Sequence, residues 1–205
     1  MQVRAEQTRQ SLIDAAAALF DTKGPRDSGL LEISRAAGVS KGALYFHFGS
    51  KQELVGAVWE EARNRVRRLA RDHIGPQPAT LDATFRFVSA LTTALRRDVV
   101  VRAGLRLEAE GGLETDADGG GMRREWLRFL SRNLTGADGN RAPSDLVAAV
   151  TIGLETLGRQ DPSWWSQETV SGIWHLLSGL RPPEVPAGTA ENSVRRVTHI
   201  PEQNE

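Results

Sequence analysis

Along this chain apolar residues recur at intervals of three and four, the period of an amphipathic helix, and no clear run alternates with the period of a strand. The first helix is expected over about 4–23. Leu12, Ala16, Leu19 and Phe20 share a face there, and Ala15 to Ala18 add propensity. Gly24-Pro25 stops it. A short helix carrying Leu30, Ile33, Ala36 and Ala37 comes next, with Ser28 placed to cap it. Gly38-Val39-Ser40 reads as a tight turn, Ser40 as the cap of a brief helix over 41–46, and Ser50 as the cap of a longer one over about 51–72. Glu53 stands at the third position of that last helix, close to a capping box.

After the breaker Gly75-Pro76-Gln77-Pro78, Leu81, Phe85, Val88, Leu91 and Leu95 form a second amphipathic stripe. Further helices are expected over about 99–110, around Trp126 to Leu134, over 144–160 and, past the interruption at Asp161-Pro162, over 164–180. The Gly- and acid-rich stretch 111–121 reads as a flexible loop, and the Pro-rich polar segment from 182 as a disordered tail. The fold class is therefore all-α, with about nine helices. Residues 1–50 form an N-terminal unit, 51–181 a larger helical unit joined to it by the helix 51–73, and 182–205 a tail.

Composition narrows the function. The 205 residues hold no Cys, so disulfides, Cys-ligated zinc and Cys nucleophiles are excluded. No run reaches the roughly 18 apolar residues of a membrane span. The polar N-terminus does not resemble a signal peptide, and the expected location is the cytoplasm. The four His, at 47, 73, 175 and 199, are scattered. No catalytic signature accompanies them, so neither enzyme, metal nor cofactor is expected. The formal charge is zero, but unevenly laid: residues 1–75 carry 12 basic and 9 acidic residues, and the remainder 14 and 17. The N-terminal third is thus where an anionic partner would sit.

That third also holds the most informative motif. Residues 28–48 have the form of a helix-turn-helix. Ala36 and Ala37 permit close helix approach, Gly38 accepts a positive φ, and Val39 and Leu44 plug the small core. The second helix presents Ser40, Lys41, Gly42 and Tyr45 outward, with unpaired backbone N–H groups at its start. Such a helix fits the major groove, and a dimer places two copies about 34–36 Å apart.

Residues 33–54, Ile-Ser-Arg-Ala-Ala-Gly-Val-Ser-Lys-Gly-Ala-Leu-Tyr-Phe-His-Phe-Gly-Ser-Lys-Gln-Glu-Leu, resemble the DNA-binding signature of TetR-family repressors. The resemblance spans about residues 4–58. It implies that Ser40 and Lys41 lie near phosphates or base edges. Tyr45, His47 and Lys51 would clamp the backbone, Gly42 and Ala43 would allow close approach, and Ser28, capping the helix beside them, would also meet DNA. One departure is Pro25 where the family carries an aromatic, followed by Ser28-Gly29 where it carries Thr-rich residues. Within the family, Lys-Gly-Ala-Leu-Tyr-Phe-His-Phe, Val-Val-Arg-Ala-Gly-Leu-Arg-Leu (100–107), Trp126 and Ile-Trp-His-Leu-Leu-Ser-Gly-Leu (173–180) are similar to γ-butyrolactone receptors of actinomycetes. That resemblance implies a dimer on a pseudo-palindromic double-stranded operator. A small lactone, furan or butenolide inducer would release it, and the genes controlled would make antibiotics.

By the same resemblance Trp126 lines the ligand pocket, although a lone Trp on an amphipathic helix is usually core. Phe85, Phe87, Val88, Leu105, Phe129, Thr151 and Trp174 are further candidates for an apolar pocket wall. Thr151, Thr156 and Gln160 could supply polar anchors, against the alternative of plain solvent exposure. Helices 144–160 and 163–180 are the expected dimer surface. Phe46 and Phe48 are expected inside, leaving Tyr45 outside. The Arg63, Arg65, Arg67, Arg68 and Arg71 run is expected to pair with Glu60, Glu61 and Asp72. Three functions stay open: a lactone-responsive repressor, a pseudo-receptor of the same fold sensing an antibiotic or intermediate, and an all-α enzyme or protein-binding module.

Overall fold

The computed structural model describes residues 2–74, 80–111, 121–134 and 139–179. Among them are nine α-helices, one 3₁₀ turn and no strand. The breaker at 75–78, nearly all of the 111–121 loop and the tail from 182 fall outside the described residues.

The N-terminal unit consists of α1 (Gln2–Lys23), α2 (Leu30–Ala36) and α3 (Lys41–His47), followed by α4 (Lys51–Ile74). Leu12, Ile13, Ala16, Ala17 and Phe20 of α1 close over Ile33, Leu44 and Phe48, all essentially without solvent contact. Gly24 (φ 83°) ends α1 and Gly38 (φ 68°) turns α2 into α3, both in the left-handed region that favours glycine. Ser40 caps α3 by accepting from the Ala43 N–H at 3.1 Å. At the start of α4 the capping box is complete: Ser50 Oγ accepts from Glu53 N at 3.1 Å, and Glu53 Oε2 accepts from Gly49 N at 2.8 Å.

Two expectations fail here. Ser28 does not cap α2. The cap is Gly29, without a side-chain bond, while the Ser28 hydroxyl is buried and donates to the Gly24 carbonyl at 2.7 Å. Its short side chain satisfies the turn after α1 instead. Phe46 is not a core residue: it is 81% exposed, because it lies two positions from Leu44, on the opposite face of α3.

The remaining helices are α5 (Leu81–Arg97), α6 (Val99–Ala109), α7 (Met122–Asn133), α8 (Ala142–Gly158) and α9 (Gln167–Gly179). Thr80 caps α5 and Asp98 caps α6. The 3₁₀ turn Pro162–Trp165 replaces the first turn of the expected 164–180 helix. The extended Ser166 after it delays α9 to Gln167. Within it Trp165 is buried and its indole N–H donates to the Leu154 carbonyl at 2.9 Å, while Trp164 stays exposed. Leu81, expected on a buried stripe, is exposed at the end of it.

One apolar core runs from Leu12 in α1 to Val170 in α9, so the N-terminal unit is welded to the rest rather than tethered. The weld is tightest where α4 crosses α6. A Cβ on Gly104 would lie 2.2 Å from the Ala62 Cβ, so the crossing tolerates nothing larger than glycine against alanine. Ion pairs surround it. Arg65 of α4 donates to both oxygens of Asp98 at 2.9 Å and to Glu61 at 2.8 Å. Arg102 of α6 holds Asp21 of α1 at 2.8 Å.

Candidate nucleic-acid interface and ligand chamber

The exposed end of the N-terminal unit gathers most of the residues expected to meet DNA. Ser40, Lys41, Gly42 and Tyr45 are exposed, and Ala43 and His47 are half-buried. Lys41 and Tyr45, one turn apart, pair with the ammonium 5.7 Å from the ring centroid. Phe46 and His47 meet edge to face at 5.2 Å. Lys51 Nζ donates to the Arg26 carbonyl at 3.1 Å, which ties the start of α4 to the loop between α1 and α2. Arg9 lies over the ring of the buried Phe48 at 5.2 Å, bringing α1 alongside. Ser28 alone is out of reach, buried at the far end of α2. The surface is therefore a short helix bearing a cation and aromatic rings, which suits a phosphate-lined groove.

The ligand candidates are distributed differently. Phe85 and Phe87 differ by two positions, about 200° around a helix, and so face apart. Phe87 packs on Trp126 at 4.6 Å, and Trp126 stacks on Phe129 at 5.5 Å. Phe85 stacks instead on Trp174 of α9 at 5.0 Å. Val88 and Leu105 are buried in the core. Thr151 is buried with its hydroxyl donated to Val147 at 2.7 Å, and Thr156 and Gln160 are exposed. The wall expected from the sequence thus resolves into two aromatic groups, while the expected polar anchors are bonded within α8 (Thr151) or exposed (Thr156 and, beyond the end of α8, Gln160).

The Trp126 group carries a feature invisible in sequence. Its indole Nε1 is buried and meets no acceptor among the described residues, and the same is true of Trp59 Nε1 on α4 and of Ser89 Oγ on α5. A buried donor without a partner costs about 1–3 kcal/mol. An acceptor arriving beside it would recover that cost.

The Arg run is mostly committed to carboxylates, as its composition suggests, but not only to the expected ones. Arg63 reaches Glu60, Arg65 and Arg68 reach Glu61, and both Arg63 and Arg67 converge on Glu125 of α7. Burial opposes the charge on Glu125, but hydrogen bonds from Arg63 and then Arg67 outweigh it, holding its carboxyl below the usual carboxylate range. Asp72 joins no ion pair among the described residues. Glu125 and Trp59 were not singled out in the sequence. The available signal was Arg63 and Arg67, one turn apart on α4 and in need of a counter-charge.

Comparison with known proteins bears on both regions. Residues 12–58 match the family of bacterial regulatory proteins, tetR family. The A-factor receptor protein of Streptomyces griseus is 40% identical over 110 residues, which cover 54% of this chain and 38% of that protein. The chain therefore spans well under half the length of that relative. A crystal structure of a γ-butyrolactone receptor (ArpA-like protein) superposes with a TM-score of 0.71 at 31% identity, covering 88% of this chain and 91% of that one. The TetR-family protein CprB of Streptomyces coelicolor, solved with its biological operator sequence, superposes at 0.68 with 35% identity, covering 85% and 88%.

Proposed function

Because the chain belongs to the TetR family of bacterial transcriptional regulators, we propose that it is a dimeric repressor released from a pseudo-palindromic operator by a small neutral lactone, furan or butenolide. The genes it controls would serve antibiotic or other secondary metabolism, and it would work in the cytoplasm, beside its operator. One observation carries the ligand reading. Trp126 presents a buried N–H, unpartnered among the described residues, inside an aromatic cluster with Phe87 and Phe129. Such a site suits a ligand with an apolar body and an acceptor oxygen, the chemistry of a lactone carbonyl. The similarity to γ-butyrolactone receptors supports the same class.

Ser40, Lys41, Gly42, Ala43, Tyr45 and His47 form the reading head, and Lys51 holds it in register. Phe87, Trp126 and Phe129 form the pocket wall; Phe85 with Trp174 belongs to a neighbouring contact. The exposed Leu146, Leu157 and Leu176 of α8 and α9 form the surface on which a second copy would pair. Ligand release of about a hundredfold requires roughly 2.7 kcal/mol of preference for the released state. The test is a gel shift with duplexes enriched from a random pool, followed by titration of a synthetic acyl γ-butyrolactone. Release by lactone is the expected outcome. If an antibiotic releases the protein and no lactone does, it is a pseudo-receptor. If no duplex binds, the repressor reading is lost.

A further inference from the structure

One carboxylate joins α7, which carries Trp126, to α4. Glu125 stands on α7 immediately before Trp126. Its Oε1 accepts from Arg63 Nε at 2.9 Å, from Arg63 Nη2, and from Arg67 Nη2 at 2.9 Å; its Oε2 accepts from Arg67 Nε at 3.2 Å. Arg63 and Arg67 occupy successive turns of α4, so the carboxylate grips that helix at two levels. Charge-assisted forks of this kind fix orientation as well as adding strength. The Arg63 guanidinium also lies over the Trp59 ring, 5.0 Å from its centroid, which binds a second unpartnered indole into the same assembly.

The other end of α4 is fastened to the reading head. The Ser50–Glu53 box fixes its first turn, and Lys51 holds the Arg26 carbonyl. From Arg63 to Lys51 the helix is about 18 Å long and unbroken. A second connection runs through α6, where Arg102 holds Asp21 and Arg106 donates to the Asp21 carbonyl at 2.6 Å. That path begins at no unpartnered donor. The α7–α4 path begins beside one and ends at the head.

We infer that Glu125 is a positioning residue that couples the Trp126 chamber to the reading head, by making α7 and α4 respond as one body through Arg63 and Arg67. The inference rests on the reading above for what shifts α7. The clamp itself does not depend on which guest does so.

Coupling is reciprocal, so DNA on the head must be felt at α7. Hydrogen exchange on the full chain, free and bound to a duplex enriched from a random-sequence pool, tests this without any inducer. Binding is expected to slow exchange across residues 122–133 roughly tenfold in the parent. Glu125→Gln keeps the shape and loses the charge, and should cut that slowing below about twofold while slowing in α2 and α3 persists. Arg67→Gln, at an exposed position, should give an intermediate value, and Arg102→Gln should leave α7 unchanged. A merely structural role would lower the melting temperature of Glu125→Gln without erasing the difference between free and bound α7. Unchanged slowing in Glu125→Gln, or none in the parent, overturns the inference while DNA reading stands. If no duplex is enriched, DNA reading falls first and the coupling with it.

Discussion

The reading head and the chamber behind it are finished to different standards. In the head the starts of the two helices flanking its tip are closed: Ser40 caps α3, Ser50 and Glu53 cap α4 reciprocally, and the buried Ser28 hydroxyl has a carbonyl. Behind it, Trp126 of the aromatic cluster, Trp59 of α4 and Ser89 on the Phe85 side of α5 keep buried polar atoms without partners among the described residues. A head that must match a rigid duplex gains from having one conformation. On the proposed function, a cluster that answers a guest would gain from leaving hydrogen bonds for the guest to make. The contrast is one of satisfied against unsatisfied polar groups within a single continuous core.

The sharpest way to break this contrast is at the weld. Gly104→Val drives a branched side chain into Ala62 and should cost about 3 kcal/mol in denaturant unfolding, with both regions melting in one transition. Separate melting of the head would show that the two regions are independent after all. Next, Tyr45→Ala should weaken operator binding by about 10- to 100-fold by fluorescence anisotropy, a loss of one good contact. Since Tyr45 is half-exposed, stability should move by less than about 0.5 kcal/mol. Tight binding by this variant would remove Tyr45 from the interface.

A smaller and more pointed pair compares the two regions directly. Ser40→Ala removes a used hydroxyl and should cost about 1 kcal/mol. Trp126→Phe removes an unused N–H and should cost little, under about 0.5 kcal/mol, yet blunt release by lactone. A large stability loss in Trp126→Phe would mean the indole is ordinary core. The smallest effect is with pH. The folded-state carboxyl of Glu125 sits below its usual value of 4.5, so its contribution is present above that value and fades as pH falls through the lower folded one. Exchange protection of α7 should weaken on acidification, and Glu125→Gln should flatten the profile. With the carboxylate 27% exposed, solvent screening keeps the effect modest.

Much of this was legible in the sequence because it is local. The helix periods, Gly24 and Gly38, Ser40 and the Ser50–Glu53 box are each decided within a few residues, and the signature over 33–54 is a resemblance carried by one unbroken stretch. Ser28 was misplaced by one residue of helix start, which is enough to turn a cap into a buried turn hydroxyl. Phe46 was misread by composition: an aromatic in a short amphipathic helix was expected inside, although its position two from Leu44 puts it outside. What could not be read was the meeting of distant residues. Glu125 and Arg63 are 62 positions apart, and Phe85 and Phe87 face different neighbours only once α7 and α9 are in place.

The crossing of Gly104 on Ala62 has a mechanical consequence. At this one point the two helices meet hydrogen against methyl, so no side chain projects there to lock their angle, and on the proposed function it is the point about which α4 would turn. From Ala62 the arm toward Lys51 is about 16 Å and the arm toward Arg67 under about 8 Å, at 1.5 Å per residue. A displacement applied at the short arm is therefore roughly doubled at the long one. On that reading Gly104 would set the gearing of the release: a bulkier residue would not only crowd the core but also stiffen the pivot.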